Sequence, residues 1–273
     1  APIGLKNVET VGRLTAATDL PPARKKNSHK GMFGRVYVIG GSARMPGAPV
    51  LTACAAVAAG AGYVTLCAPD CNVVYDRNAA MCTRLPLPTV DGCIAFDEPL
   101  FAEICEKADS IVIGNGMGAA PDLGKMLRYI TAHFHGVLIV DADGLNALAK
   151  DRAALVGHTC KLLLTPHPGE LRRLDESDGD PIERAKRLAT ELDCVVAAKN
   201  TVTVISDGKD CLFNVEGTPA LAKGGSGDVL AGIAAAYACR LPLLRATAAA
   251  CYKLGRTASR RYAGKDENAL LSF

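Results

Sequence analysis

The chain has 273 residues, enough for one large domain or two small ones and for a substantial core. Apolar residues make up 49% and charged residues 22%, which argues against a disordered chain. A net charge of +3 and the absence of Trp give little footing for nucleic acid or a membrane surface.

Residues 1–30 are polar, and LPPARKKNSHK reads as a Pro- and Lys-rich lead-in; residues 1–27 are taken as a lead-in to a single domain covering 1–273. GRVYVIGGS reads as a buried strand ending in a tight turn, LTACAAVAAGAGY as an Ala-rich helix, and VTLCAP as the next strand. DSIVIGNGMG is a strand and a glycine turn, LGKMLRYITAH a helix, and GVLIVDADGLNAL a strand, an acidic turn and a helix start. KLLLTPHPGELRRL repeats that form, and PIERAKRLATEL is an amphipathic helix. DCVVAAKN, TVTVISDG and CLFNVE are strands, with a hairpin expected at Asp207-Gly208; an Ala-rich helix then follows KGGSGD, and 243–262 gives one more.

Continuous Val/Ile/Leu strands are covered on both faces, and strand–helix alternation with short turns points to a three-layer α/β/α sandwich around a mostly parallel sheet, mixed at one end. In such folds ligands bind beyond the carboxyl ends of the strands, where these glycine- and acid-rich turns should gather.

Eleven scattered cysteines without a C-x-x-C pair read as reduced thiols packed as small hydrophobes, so a reducing, cytoplasmic compartment is expected. Five His do not cluster into a zinc site, and His133 and His135 read as structural. No run of about 18 apolar residues suggests a membrane helix, and no signal peptide is evident.

Gly224-Gly225-Ser226-Gly227-Asp228 stands at a helix entrance. Glycines let backbone N–H groups close on an anion such as a phosphoryl group, and Asp228 could take a proton from a substrate hydroxyl. The competing reading is a Ser or Asp helix cap, but a cap needs one such residue and not three glycines before it. In Thr165-Pro166-His167-Pro168-Gly169-Glu170 two prolines stiffen a turn that holds His167. A helix start explains Pro168 and Glu170 but does not require His167. Asp141 and Asp143 in DADG could hold Mg²⁺ through water or bind a polar group, but an Asp cap with an Asx turn is the better reading. GNGMGA is a weak dinucleotide motif, more plausibly a tight turn passing close to a ligand. Gly47-Ala48-Pro49 reads as part of a wide turn before the Ala-rich helix. Lys199 could reach nucleotide phosphates, or be a surface lysine at a hairpin.

Together, HKGMFGRVYVIGGSARMPGAP, GNGMG, DADGLNAL, LTPHPGEL, AAKNTVTV and AKGGSGDVLAG resemble, in order and spacing, the ADP/ATP-dependent NAD(P)H-hydrate dehydratases. The resemblance spans about residues 28–262. GGSGD alone is shared across the wider ribokinase-like superfamily, whereas TPHPGE with GRVYVIGGS and GAP is narrower. It implies a ribokinase-like fold and repair of hydrated NADH or NADPH (the S epimer, with a hydroxyl at ring carbon 6). ADP or ATP would be the co-substrate, and Mg²⁺ would travel on its phosphates with no protein cage. By motif match, Asp228 would be the catalytic base and Gly224, Gly225, Ser226 and Gly227 the anion hole. Ala48, Gly116, His167 and Asp228 would contact the hydrate. Lys199, Asn200, Thr201, Val202, Thr203, Thr218 and Gly227 would hold the nucleotide. Many members carry Leu-Lys-Gly where this chain has Ala198-Lys199-Asn200, and Asn tolerates unusual backbone angles better than most residues. Asn115 stands where Pro is common. Some members are fused to an epimerase domain, and any epimerase here is expected to be separate; a homo-oligomer is also expected. The alternative is a vitamin or sugar-alcohol kinase of the same fold.

Overall fold

The computed structural model describes residues 11–70 and 79–263. Arg13–Leu14 (β1) precedes Arg35–Ile39 (β2), Gly47–Ala59 (α1), Tyr63–Pro69 (β3) and Thr83–Leu87 (β4); Thr89–Val90 (β5) and Cys93–Ile94 (β6) make a small separate hairpin. Helices and strands then alternate, except that two helices precede β10: Glu98–Lys107 (α2), Ser110–Ile113 (β7), Leu123–His133 (α3), Val137–Val140 (β8), Asp143–Lys150 (α4), Lys161–Leu164 (β9), Pro168–Leu174 (α5), Pro181–Glu191 (α6) and Cys194–Ala198 (β10). The hairpin of Thr203–Ser206 (β11) and Cys211–Asn214 (β12) leads to Ser226–Ala238 (α7) and Leu243–Tyr262 (α8).

One sheet runs β1-β12-β11-β10-β9-β8-β7-β2-β3-β4, and only β11 opposes its neighbours. The β11–β12 turn falls where expected: Gly208 has φ +90°, and Asp207 Oδ1 accepts from the backbone N–H groups of Lys209 and Asp210. Alternate residues of each parallel strand enter different cores. Ile111, Ile113, Leu138, Val140, Leu162 and Leu164 pack under α2–α6, while Val112, Val137, Ile139 and Leu163 pack under α1, α7 and α8. Three layers follow from that period of two and from strands apolar on both faces.

The Ala-rich composition of α1 and α7 has a packing cause. A Cβ on Gly232 would lie 2.1 Å from the Thr52 carbonyl oxygen, so small residues let the two helices approach. That contact joins the middles of the two helices, and a Cβ on Gly225, just before α7, would lie 2.8 Å from Leu51 Cδ1 of α1.

Two boundaries differ from expectation. Part of the polar lead-in belongs to the sheet: Arg13 and Leu14 pair with Leu212 and Phe213, and Thr15 Oγ1 donates to Asn214 Oδ1 at 2.9 Å. An open edge of β12 offered unpaired backbone groups, and burial pattern alone does not reveal such a strand. The Gly47-Ala48-Pro49 segment is not a turn but the first turn of α1. Proline is tolerated there because the N–H it lacks has no helical partner in any case.

The chain leaves β2 toward β3 and β4, and returns at β7 on the opposite flank of β2. The β2/β7 boundary is therefore the switch point, and the crevice beyond its carboxyl ends is where the fold opens to a ligand.

Candidate active site

The turns after β2, β7 and β8 are joined without room between them. The Gly41 N–H donates to the Asn115 carbonyl at 2.8 Å, and a Cβ on Gly40 would sit 2.5 Å from that same oxygen. Gly114 has φ +119°, and a Cβ there would fall 2.0 Å from the Asp141 carbonyl oxygen. Gly116 has φ +67°, and its Cβ would lie 2.9 Å from Ala48 Cβ and from the Met45 carbonyl oxygen. Gly116 and Ala48, both expected at the hydrate, thus lie side by side across the switch point.

Behind them is a buried charge network. Asp141 Oδ1 accepts from Lys199 Nζ at 2.8 Å and from Thr165 Oγ1 at 2.8 Å, and its Oδ2 accepts from Asn115 Nδ2 at 3.2 Å. The expected Asp cap is overturned. α4 begins after Ala142, whose φ is +49°, and the Asp141 carboxylate is committed to three side chains from other strand ends. Burial alone would raise the Asp141 carboxyl, but Lys199, Thr165 and a backbone amide hold it below the usual carboxylate range. Burial alone would lower Lys199, but Asp141 holds it above the ordinary lysine value. Lys199 is thus a partner of Asp141 rather than a surface lysine.

Asn115 Nδ2 also donates to Asp228 Oδ1, at 2.6 Å. Asp228 is raised above the usual carboxylate range, first by burial and further by the negative Asp141, while the Asn115 amide and Lys199 act against the rise. Asp228 does not cap α7. The cap position is Gly225 at φ +92°, with no side-chain cap, and Asp228 sits in the first turn with its carboxylate turned to Asn115. Ser226 Oγ is buried without a hydrogen-bond partner, and a Cβ on Gly224 would meet nothing within 4 Å. A Cβ on Gly227 would lie 3.3 Å from Lys199 Nζ. The α7 turn therefore presents free backbone donors, an unpartnered hydroxyl and a carboxylate disposed to hold a proton.

His167 differs from expectation in one respect: the helix start does use it. Its Nδ1 accepts from the backbone N–H groups of Gly169 (3.0 Å) and Glu170 (3.2 Å), and Glu170 Oε2 accepts from the His167 N–H at 2.8 Å. An imidazole acceptor replaces the usual hydroxyl or carboxylate of a capping box. The His167 Nε2 lies 3.2 Å from Glu170 Oε1. Glu170 is buried, which raises its carboxyl, and the His167 N–H and Lys199 offset part of that.

A cavity of about 650 Å³ opens beside this cluster, beyond the ends of β10 and β12. It is lined by Lys199, Asn200, Thr201, Thr203 and Thr218, all expected at a nucleotide. Val202 is exposed and lies outside that lining, as does Gly227. Asn214, Glu216, Cys251 and Gly255 are among the other residues of the wall. Sequence reasoning passed over Cys251 and Gly255 because α8 reaches the site only through tertiary packing, and over Asn214 and Glu216 because CLFNVE reads only as a strand. Asn200 does not use an unusual backbone angle; instead its Oδ1 accepts from the Thr201 N–H at 2.9 Å. Among the described residues, no three His, Cys, Asp or Glu side chains gather as a metal-ligand group.

Comparison with known proteins identifies the family. The family model described as NAD(P)H-hydrate dehydratase matches residues 36–271. The chain belongs to the NAD(P)H-hydrate dehydratase family. It is 33% identical over 224 residues to the ADP-dependent (S)-NAD(P)H-hydrate dehydratase of Staphylococcus aureus, covering 79% of this chain and 76% of that one. It is 39% identical over 219 residues to the bifunctional NAD(P)H-hydrate repair enzyme of Methanopyrus kandleri, covering 78% of this chain but 42% of that protein. The chain thus spans about half the length of such bifunctional relatives or less. The ADP/ATP-dependent NAD(P)H-hydrate dehydratase of Bacillus subtilis, co-crystallised with ATP and Mg²⁺, superposes with a TM-score of 0.75 at 26% identity, over 92% of this chain and 88% of that one. A ribokinase-like superfamily protein of Enterococcus faecalis reaches 0.81 at 26% identity, over 97% and 93%. The dehydratase family and the ribokinase-like α/β fold expected from the motifs are both found.

Proposed function

We propose that this chain dehydrates hydrated NADH or NADPH at the expense of ADP or ATP, with Asp228 as the base. One observation carries the reading: a carboxylate in the first turn of α7 that caps nothing, carries a raised proton affinity and follows a glycine turn with open donors. Family membership, with homologues named for this activity, supports the substrate.

The Asp228 carboxylate takes the proton of the ring hydroxyl. The hydroxyl oxygen attacks the terminal phosphorus, and the bond from that phosphorus to the bridging oxygen breaks, leaving AMP from ADP or ADP from ATP. The Gly224–Gly227 N–H groups and Ser226 Oγ stabilise the charge on the transferring group; such donors are typically worth ~10²–10³ in rate each. Phosphate then departs with the carbon–oxygen bonding pair, a neighbouring ring proton is lost, and the dihydronicotinamide double bond is restored. Mg²⁺ would neutralise phosphate charge. Ala48, Gly116 and His167 line the hydrate, while Lys199–Thr203, Thr218 and Gly227 hold the nucleotide. Lys199 does so while paired with Asp141.

The remaining parts of the proposal are a single domain, a homo-oligomer and a reducing, cytoplasmic compartment. The last is supported by ten described cysteines that are all free thiols. Among the described residues no helix is long and apolar enough to cross a membrane.

The test is to incubate hydrated NADH with ADP or ATP and follow the reduced-nicotinamide absorbance. Its return, with phosphate released, is the expected result. A stable phosphorylated product would instead make the protein a kinase of the same fold.

A further inference from the structure

Asn115 is fully buried in the turn after β7, and its side-chain amide hydrogen-bonds two carboxylates: Asp228 Oδ1 at 2.6 Å and Asp141 Oδ2 at 3.2 Å. Ionised carboxylates only accept, so the nitrogen must be the atom that faces them. The opposite atom, Asn115 Oδ1, is buried with no hydrogen-bond partner. A buried asparagine serving only the fold would satisfy its acceptor as well as its donors, and an exception calls for a reason. Here the acceptor is forfeited and the donors are kept on two acids. Asp141 is a fixed post, because Lys199 and Thr165 hold its other oxygen. The Asn115 amide nitrogen is thus anchored on Asp141 and holds Asp228 from the same atom.

We infer that Asn115 is the positioning residue of this site: its Nδ2 amide fixes Asp228 Oδ1, favours the charged form of that carboxylate, and leaves Oδ2 for the substrate proton. The inference rests on the reading of Asp228 as the base. The groups around Asp228 are Asp141 from the end of β8, which disfavours its charge, and Lys199 from the end of β10, which favours it. Glu170 from α5 favours the charge on Lys199 and is itself disfavoured by Asp141, and α1 meets the α7 turn with the uncharged Leu51. Among the described residues, Asn115 is the group that hydrogen-bonds the Asp228 carboxylate, and that bond favours the charged form. Its removal therefore raises the pH at which the base loses its proton.

The test is the pH profile of kcat/KM for hydrate dehydration in Asn115→Ala and Asn115→Ser, with thermal melting as the check on folding. The acidic limb of Asn115→Ala is expected to move up by about 1 pH unit, so that most of its lost activity returns at higher pH. Asn115→Ser, which keeps a hydroxyl donor, should move less, and KM for the nucleotide should hold within about twofold. If Asn115→Ala does not fold, Asn115→Ser decides alone. An acidic limb that stays in place, whether activity is unchanged or lowered equally at every pH, overturns the inference. Asp228→Asn separates the two failures: substantial activity in that variant removes the base itself, whereas an inactive Asp228→Asn with an unmoved limb in the Asn115 variants removes only the role given to Asn115.

Discussion

Helices α5 and α7 both begin at the carboxyl edge of the sheet, and their first turns are built in opposite ways. At α5 the donors are satisfied from within: His167 Nδ1 takes the N–H groups of Gly169 and Glu170, and Glu170 takes that of His167. At α7 no side chain caps the helix, Gly225 has φ +92°, Ser226 Oγ is buried without a partner, and Asp228 is turned toward another strand end. A helix start contributes partial positive charge wherever it lies. The one that is closed on itself stabilises the fold; the one left open can accept an anion. An unpaired buried hydroxyl costs about 1–3 kcal/mol, a cost the fold bears at α7 and avoids at α5.

The largest expected effect breaks the open turn. Asp228→Asn keeps the shape and can still accept from Asn115, so nucleotide affinity should persist while turnover falls ~10²–10⁴-fold, as for a missing general base. Isothermal titration alongside the absorbance assay checks both, and turnover close to that of the wild type would contradict the role of Asp228. Next comes the link between the two turns, for the Lys199 N–H donates to the Pro166 carbonyl and its Nζ to Asp141. Lys199→Met leaves Asp141 buried without its cation and should cost about 3 kcal/mol in denaturant unfolding, in addition to weakening nucleotide binding. A loss below a few tenths would mean that Asp141 does not depend on the lysine.

His167→Ala opens the closed turn. It should cost about 1 kcal/mol of stability, as for a lost cap, and weaken hydrate binding with nucleotide affinity kept. Equal losses of hydrate and nucleotide affinity would place His167 elsewhere in the site. The smallest effect is a pH slope. Asp228 is raised in the folded state, so the folded protein binds more protons than the unfolded chain between the ordinary carboxylate value and the raised one. Stability contributed at this position is therefore greatest at low pH and declines as pH rises above about 4. Wild type should lose ground to Asp228→Asn across that range, measured by urea unfolding at stepped pH; parallel curves would show that burial does not perturb the group.

Much of the framework is legible in the letters. Strands such as SIVI and VLIV read directly, because a sheet covered on both faces needs apolar residues on both. The turns that carry chemistry were marked by glycine and proline, since few other residues tolerate those backbone angles or approaches. Less legible was what each polar side chain faced. Asp141 read best as a cap because local bonding is the commonest use of an aspartate after a strand. Its actual partners are 24, 26 and 58 residues away. Asn115 stood out only as a departure from a pattern, and its bond to Asp228 spans 113 residues. The docking of β1 escaped notice for the same reason: two residues on a sheet edge carry no periodic signal.

The sequence by itself determined the three layers, the edge at which the chemistry gathers, and the presence of an acid behind a glycine turn, since these depend on side-chain period and backbone freedom within short segments. Only the tertiary structure decided that the acid is shared with Asn115, that Lys199 is bound to Asp141, and that one helix start is closed while the other stays open. Those outcomes depend on which distant strand ends the sheet order brings within hydrogen-bonding reach, and no local pattern encodes that order.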